Sequence, residues 1–125
     1  MAKKILIVDD SSTLRASVEF TLIEHGYEVV QAGDGVEGLE VLKGFGGKES
    51  EIGMIIADIN MPNMDGITYI KEVKKTAFKF TPILVLTTES QESKKIEGKE
   101  AGASGWLVKP FKPEQLIAVV SKFVK

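Results

Sequence analysis

Four short apolar runs in this sequence end in polar residues with the means to do chemistry. Run 5–8 leads into Asp9 and Asp10, and run 54–57 into Asp58. Run 83–86 leads into Thr87 and Thr88, and run 106–108 into Lys109 and Pro110. If the runs are strands of one open α/β sheet, their carboxyl ends share the rim where such sheets bind ligands. Three carboxylates, a hydroxyl and an ammonium would then meet in one pocket. Clustered carboxylates repel one another. A hard divalent cation with oxygen ligands relieves that repulsion, which points to Mg²⁺, with Mn²⁺ as a substitute of similar habit. The chain has no cysteine and a single histidine, His25, which argues against zinc or a softer metal. A cation beside Lys109 and Thr87 suits a phosphoryl group: the positive charges neutralise its oxygens and the hydroxyl donates a hydrogen bond. A carboxylate in that setting can act as the nucleophile and form an acyl phosphate.

Each piece alone has a plainer reading. An Asp pair after a strand commonly caps a helix, and a lone Asp is commonly a turn residue. Thr87 alone reads as a strand end and Lys109 alone as a solvated charge. His25, beside Gly26, reads as a helix C-terminal cap or a surface residue. It is their joint placement on strand ends one, three, four and five that argues for a site.

The elements that must position these residues are legible in the apolar pattern. Five runs (5–8, 29–30, 54–57, 83–86 and 106–108) are mostly continuous rather than alternating. That is the mark of strands buried on both faces. Between them lie residues at helical spacing. Leu14, Val18 and Leu22 form a stripe that stops at Gly26; Val36, Leu39 and Leu42 form one that stops at Gly44. Ile67, Ile70, Val73 and Ala77 form a third. Leu116, Val119, Val120 and Phe123 form the last, entered through Pro113, a residue suited to the first turn. The stretch 90–103 is mostly Glu, Lys, Ser and Gly, with Ile96 its main large apolar residue. A helix there is expected to be exposed and comparatively mobile. Five alternations of strand and helix predict an α/β fold with a parallel sheet and right-handed crossovers. Segment 44–53, with four glycines, reads as a flexible surface excursion.

The 125 residues suit a single domain spanning 1–125, able to bury a core without disulfides. Absence of cysteine fits a reducing compartment. No signal-peptide pattern opens the chain, and no apolar run approaches the ~20 residues of a membrane helix. Net charge is -2 with both signs interspersed, which suggests no nucleic-acid groove and no membrane-binding face. A soluble, cytoplasmic, monomeric domain is expected.

Four stretches carry a family resemblance: Ile-Leu-Ile-Val-Asp-Asp at 5–10, Asp-Ile-Asn-Met-Pro-Asn-Met-Asp-Gly at 58–66, Thr87, and Lys-Pro-Phe at 109–111. Over nearly its whole length the chain resembles a bacterial response-regulator receiver domain, most of all the stand-alone chemotaxis regulators of the CheY type. The resemblance implies a flavodoxin-like, doubly wound five-stranded parallel sheet of order 2-1-3-4-5 flanked by five helices. It implies Asp58 as the phosphoacceptor and Mg²⁺ held by Asp10, by Asp58, by the backbone carbonyl of Asn60, and by Asp9 through water. Thr87 would move to hydrogen-bond the phosphoryl group, joined by the backbone N–H of Thr88, and Lys109 would pair with its charge. Lys109–Pro110 would be a cis peptide. Trp106 stands at the aromatic switch position, usually Tyr or Phe. Asn60 and Glu89 would tune dephosphorylation, here toward a short-lived phosphoryl state.

The implied donor is a histidine kinase of the CheA type, and a phosphatase is a further implied partner. The implied output is a protein target on the face of the fourth helix, fifth strand and fifth helix, in chemotaxis or another motility response. A phosphorelay shuttle, a phosphate sink and a non-phosphorylated scaffold remain alternatives. The chain would be no enzyme beyond its own phosphorylation and dephosphorylation. An aspartyl-phosphate phosphatase or mutase would want a second Asp where Asn60 stands. A flavodoxin-like electron carrier would find its cofactor phosphate repelled by Asp9 and Asp10. The chain departs from the family pattern at Thr88, where a small residue is common, at the large Trp106, and in the charges of the fourth helix (Glu92, Lys94, Lys95, Glu97, Lys99, Glu100). The segment 44–53 is also longer than usual.

Overall fold

The computed structural model describes residues 3–124. In chain order its elements are β1 (Lys4–Val8), α1 (Ser12–Glu24), β2 (Glu28–Ala32), α2 (Gly35–Lys43), a 3-10 turn (Glu49–Glu51), β3 (Ile52–Ala57), α3 (Gly66–Val73), β4 (Ile83–Thr87), α4 (Glu92–Ala101), β5 (Gly105–Val108) and α5 (Pro113–Phe123). All strand pairings are parallel and the order is β2-β1-β3-β4-β5.

The continuous apolar runs follow from helices covering both faces of this sheet. In β1, Leu6 and Val8 join a core formed with α2 and α3, while Ile5 and Ile7 join a second core formed with α1 and α5. β3 divides in the same way: Ile55 and Ala57 face one core, Met54 and Ile56 the other. All four residues of β1 from Ile5 to Val8 are at most 1% exposed.

The structure corrects the helical stripes in two places and shortens the fourth helix. Val36 is 47% exposed; α2 instead turns Gly35, Gly38 and Leu42 inward, the two glycines lying against Met64 and Tyr69. Ala77 lies outside α3, which ends at Val73 with Lys74 as its C-cap. Helix α4 is shorter than 90–103 but exposed as expected: it buries only Gly98, and Ile96 faces solvent. The segment 44–53 is likewise not one excursion: it contains a 3-10 turn, and Gly53 belongs to β3. His25 is the C-cap of α1, its Nδ1 2.9 Å from the Thr21 carbonyl oxygen.

Side-chain caps set the helix entries nearest the strand ends. Ser11, Asp34 and Asp65 accept from the N–H groups of Leu14, Glu37 and Thr68 respectively. At Asp65, partial burial works against the charged form. The hydrogen bonds from Thr68 N–H, Thr68 Oγ1 and Ile67 N–H outweigh it and hold the carboxyl below its ordinary 3.8. With the folded pKa lowered, this contribution is complete above the ordinary value and is lost as pH falls through the folded one. Asp65→Ala is therefore expected to cost about 1 kcal/mol at neutral pH. Urea unfolding as a function of pH checks this: the gap between native and variant should close in acid, and a gap independent of pH would contradict the account.

Candidate functional site

The sheet brings the strand-end residues onto one rim. Asp9 directly follows β1 and is 2% exposed; Asp58 directly follows β3 and is 8% exposed. Asp10 is exposed beside them, and each of these three Asp carboxylates offers an oxygen within 4.8 Å of the others'. Lys109, after β5, reaches in from the other side. Its Nζ donates to Asp9 Oδ2 at 3.1 Å and to Asp58 Oδ2 at 3.3 Å. The Lys109–Pro110 peptide is cis.

The carboxylates are oriented by backbone donors. Asp58 Oδ1 accepts from Ile59 N–H at 2.7 Å and Asn60 N–H at 3.3 Å. Asp9 Oδ1 accepts from Ser11 N–H at 2.8 Å. Burial raises the Asp9 pKa; the Ser11 N–H and the Lys109 ammonium pull it down without prevailing, and the nearby Asp58 charge adds to the rise. One ammonium thus bridges two carboxylates with a third beside them, and the cluster favours further positive charge. Oxygen-only donors, no cysteine or histidine among them, fit a hard divalent cation.

Thr87 ends β4 and is fully buried. Its Oγ1 accepts from Glu89 N–H at 3.2 Å, and it makes no hydrogen bond to the carboxylates among the described residues. Glu89 is held from the far side too: Trp106 Nε1 donates to its carbonyl oxygen at 3.1 Å. Thr87 and Trp106 thus grip one residue from opposite sides. The indole is half-buried and lies against Gly98 of α4, where an added Cβ would sit 2.7 Å from the ring. Thr88 is exposed and, with Lys109, Pro110 and Leu14, lines a groove between α1 and the start of α5. Asn60 is exposed on the β3–α3 loop.

Three contributors escaped the reading of the residues alone. Arg15 of α1 donates to the Asp9 carbonyl oxygen through Nη1 and to Gln31 Oε1 at 2.9 Å through Nε, pinning the β1–α1 loop to β2. Its signal was a lone Arg one helical turn past the Asp pair. Gly66, the last residue of the central motif, closes the β3–α3 loop: its N–H donates to the Ile59 carbonyl at 2.8 Å. Asn63 of the same loop donates to Asp34 Oδ2 at 2.8 Å.

Comparison with known proteins agrees with this geometry. The family model described as the response regulator receiver domain matches residues 5–121. The chain is 40% identical over 115 residues to the chemotaxis protein CheY1 of Helicobacter pylori, covering 90% of each chain. It is 38% identical over 122 residues to that organism's sensor histidine kinase CheAY, covering 97% of this chain and 15% of the kinase. The solved structure of Vibrio cholerae chemotaxis protein CheY4 superposes with a TM-score of 0.89 at 45% identity, over 99% of this chain and 100% of that one.

Proposed function

The chain belongs to the response regulator receiver domain family, a family of signalling proteins, and from that premise we propose that Asp58 accepts a phosphoryl group from a histidine kinase and thereby switches the surface of α4, β5 and α5. The observation that carries this reading is the Lys109 ammonium bridging two of three clustered carboxylates at the strand ends. Chemotaxis signalling through a kinase of the CheA type is supported by the CheY1 and CheAY relatives. A cytoplasmic setting fits that role, and among the described residues no helix is long and apolar enough to cross a membrane.

In the transfer, a carboxylate oxygen of Asp58 forms the O–P bond as the donor N–P bond breaks, and the departing imidazole takes up a proton from solvent. The backbone donors on Oδ1 and Lys109 on Oδ2 orient the Asp58 carboxylate before the donor arrives. Mg²⁺ held by Asp10, Asp58 and the Asn60 carbonyl, with Asp9 acting through water, would neutralise charge on the phosphoryl oxygens. Lys109 pairs with the product charge of roughly -1.5 to -2. Thr87 and the Thr88 N–H supply hydrogen bonds to it. The carrying experiment is intact-mass analysis after incubation with an acyl-phosphate donor, with and without Mg²⁺. A metal-dependent gain of one phosphoryl group supports the proposal, and no gain on folded protein sinks it. Followed after donor removal, the same measurement reads the lifetime that Asn60 and Glu89 are proposed to shorten.

The output step runs through Glu89. If Thr87 turns its hydroxyl toward a phosphoryl group, Glu89 N–H loses its acceptor and the residue carrying Trp106 is freed. Trp106 is the only tryptophan, so tryptophan fluorescence reports on this position. Phosphorylation is expected to change the emission of the native protein. Thr87→Val should still take up phosphate, more slowly, with little change in emission. A full emission change in that variant would refute the route through Glu89.

A further inference from the structure

The β3–α3 loop carries Asn60, whose carbonyl the proposed function assigns to the cation, so what holds this loop in place bears on cation binding. Its root is closed by the Gly66–Ile59 hydrogen bond. Its tip is held differently. Asn63 sits at φ 68, in the left-handed region that Asn tolerates better than most residues. From there Nδ2 donates to Asp34 Oδ2 at 2.8 Å, across 29 residues of sequence. Among the described residues this is the only hydrogen bond from residues 60–64 to anything outside 58–66.

Asp34 divides its two oxygens between two tasks. Oδ1 caps α2 by accepting from Glu37 N–H at 2.8 Å, and Oδ2 takes the loop. Those hydrogen bonds, the Glu37 one foremost, hold its carboxyl below the ordinary range, so it is fully ionised at neutral pH. Beside the polar contact, the Met64 side chain lies against Gly35, where an added Cβ would be 3.1 Å away. Helix α2 has no strand-end residue of its own in the site, yet it meets the loop through both contacts.

We propose that the Asp34–Asn63 hydrogen bond is a latch that holds the β3–α3 loop in the conformation presenting the Asn60 carbonyl to the divalent cation, making Asp34 and Asn63 positioning residues for metal binding. The inference rests on the reading of this rim as a Mg²⁺ site. Without the latch the loop samples other conformations, and apparent affinity falls by the fraction of time it is out of place.

The chemistry of the pair allows a clean test. Asn63→Gly keeps the positive φ and removes the donor. Asp34→Ser keeps an oxygen to cap α2 and removes the one that reaches Asn63. Asp34→Asn retains a cap and, with the Asn63 amide turned over, a partner for it. The probe is Mg²⁺ alone, titrated calorimetrically into the full chain, with thermal unfolding of each metal-free variant alongside. Asn63→Gly and Asp34→Ser should each weaken Mg²⁺ binding roughly fivefold, the effect of one ordinary hydrogen bond. The double variant should be no weaker than the worse single, because both remove the same contact. Asp34→Asn should restore most of the affinity. Native affinity in both single variants overturns the latch, as does a double variant that multiplies the two losses. A native chain that binds Mg²⁺ while the variants match it removes the latch alone; a native chain that binds none removes the metal reading and the latch with it.

Discussion

Asp58→Asn is expected to lower phosphoryl uptake by on the order of 10³-fold or more, the scale seen when an enzyme loses its nucleophile. An amide oxygen at the Oδ1 position can still accept from Ile59 N–H and Asn60 N–H, while its NH2 takes the place of the Oδ2 that Lys109 uses. The backbone contacts of residue 58 are thus kept while the oxygen proposed as nucleophile is lost. The same substitution carries a second expectation of opposite sign. Three carboxylates face one bridging ammonium at this rim, and removing one negative charge relieves their repulsion. Metal-free Asp58→Asn should therefore be more stable than the native chain by about 1 kcal/mol, which is a rise of several degrees in Tm for a domain of this size. Added Mg²⁺ should stabilise the native chain strongly and the variant weakly. Uptake is read by intact mass and stability by thermal unfolding with and without Mg²⁺. A variant that still gains a phosphoryl group would move the acceptor elsewhere. A variant less stable than the metal-free native chain would show that Asp58 is held by its hydrogen bonds more than it is strained by its neighbours.

Gly66→Ala is expected to be the most damaging single-methyl change in the molecule. A Cβ at this position would overlap the Asp58 carbonyl oxygen and stand 2.7 Å from the Ile59 Cα and 2.8 Å from the Asp58 carbonyl carbon. All of these are backbone atoms, so no side chain can swing aside. Gly66 is buried, and its N–H makes the hydrogen bond that closes the loop root. To admit the methyl group, either α3 moves off the sheet or residues 58 and 59 shift, and the second route displaces Asp58, the proposed phosphoacceptor. A loss of roughly 2–4 kcal/mol is expected, beyond the usual cost of overpacking because the obstacle is backbone. Urea unfolding gives the stability, and phosphoryl uptake under conditions where the variant remains folded gives the site. A variant within 1 kcal/mol of native by roughly that same overpacking scale, with normal uptake, would contradict the close approach.

The gathering of these polar residues was open to reading from the sequence, because strand-end residues of a parallel sheet meet at one rim whatever the details of packing. Asp9, Asp58 and Lys109 each follow an apolar run directly, so finding the runs was enough to place them together. The runs were legible because burial on both faces leaves no polar alternation, as the two cores sharing β1 and β3 show. The strand order came with the family resemblance, and the sheet has that order.

What stayed hidden has a common cause. Hydrophobic periodicity records that a face is covered, but not what covers it or how closely. Helix α2 buries Gly35 and Gly38, whose lack of side chain gives no apolar signal, while Val36 gives the signal and lies exposed. The intolerance of Gly66 depends on how near α3 comes to the Asp58 carbonyl. The bridging of Asp9 and Asp58 by an ammonium 100 and 51 residues away depends on a side chain reaching across the sheet. The grip of Thr87 and Trp106 on Glu89, and of Asp34 on Asn63, are distances between elements. The residue types and their spacing along the chain determined which groups would share the rim; the packing of helices on the sheet, set by side-chain volume and backbone approach, decided which of them touch.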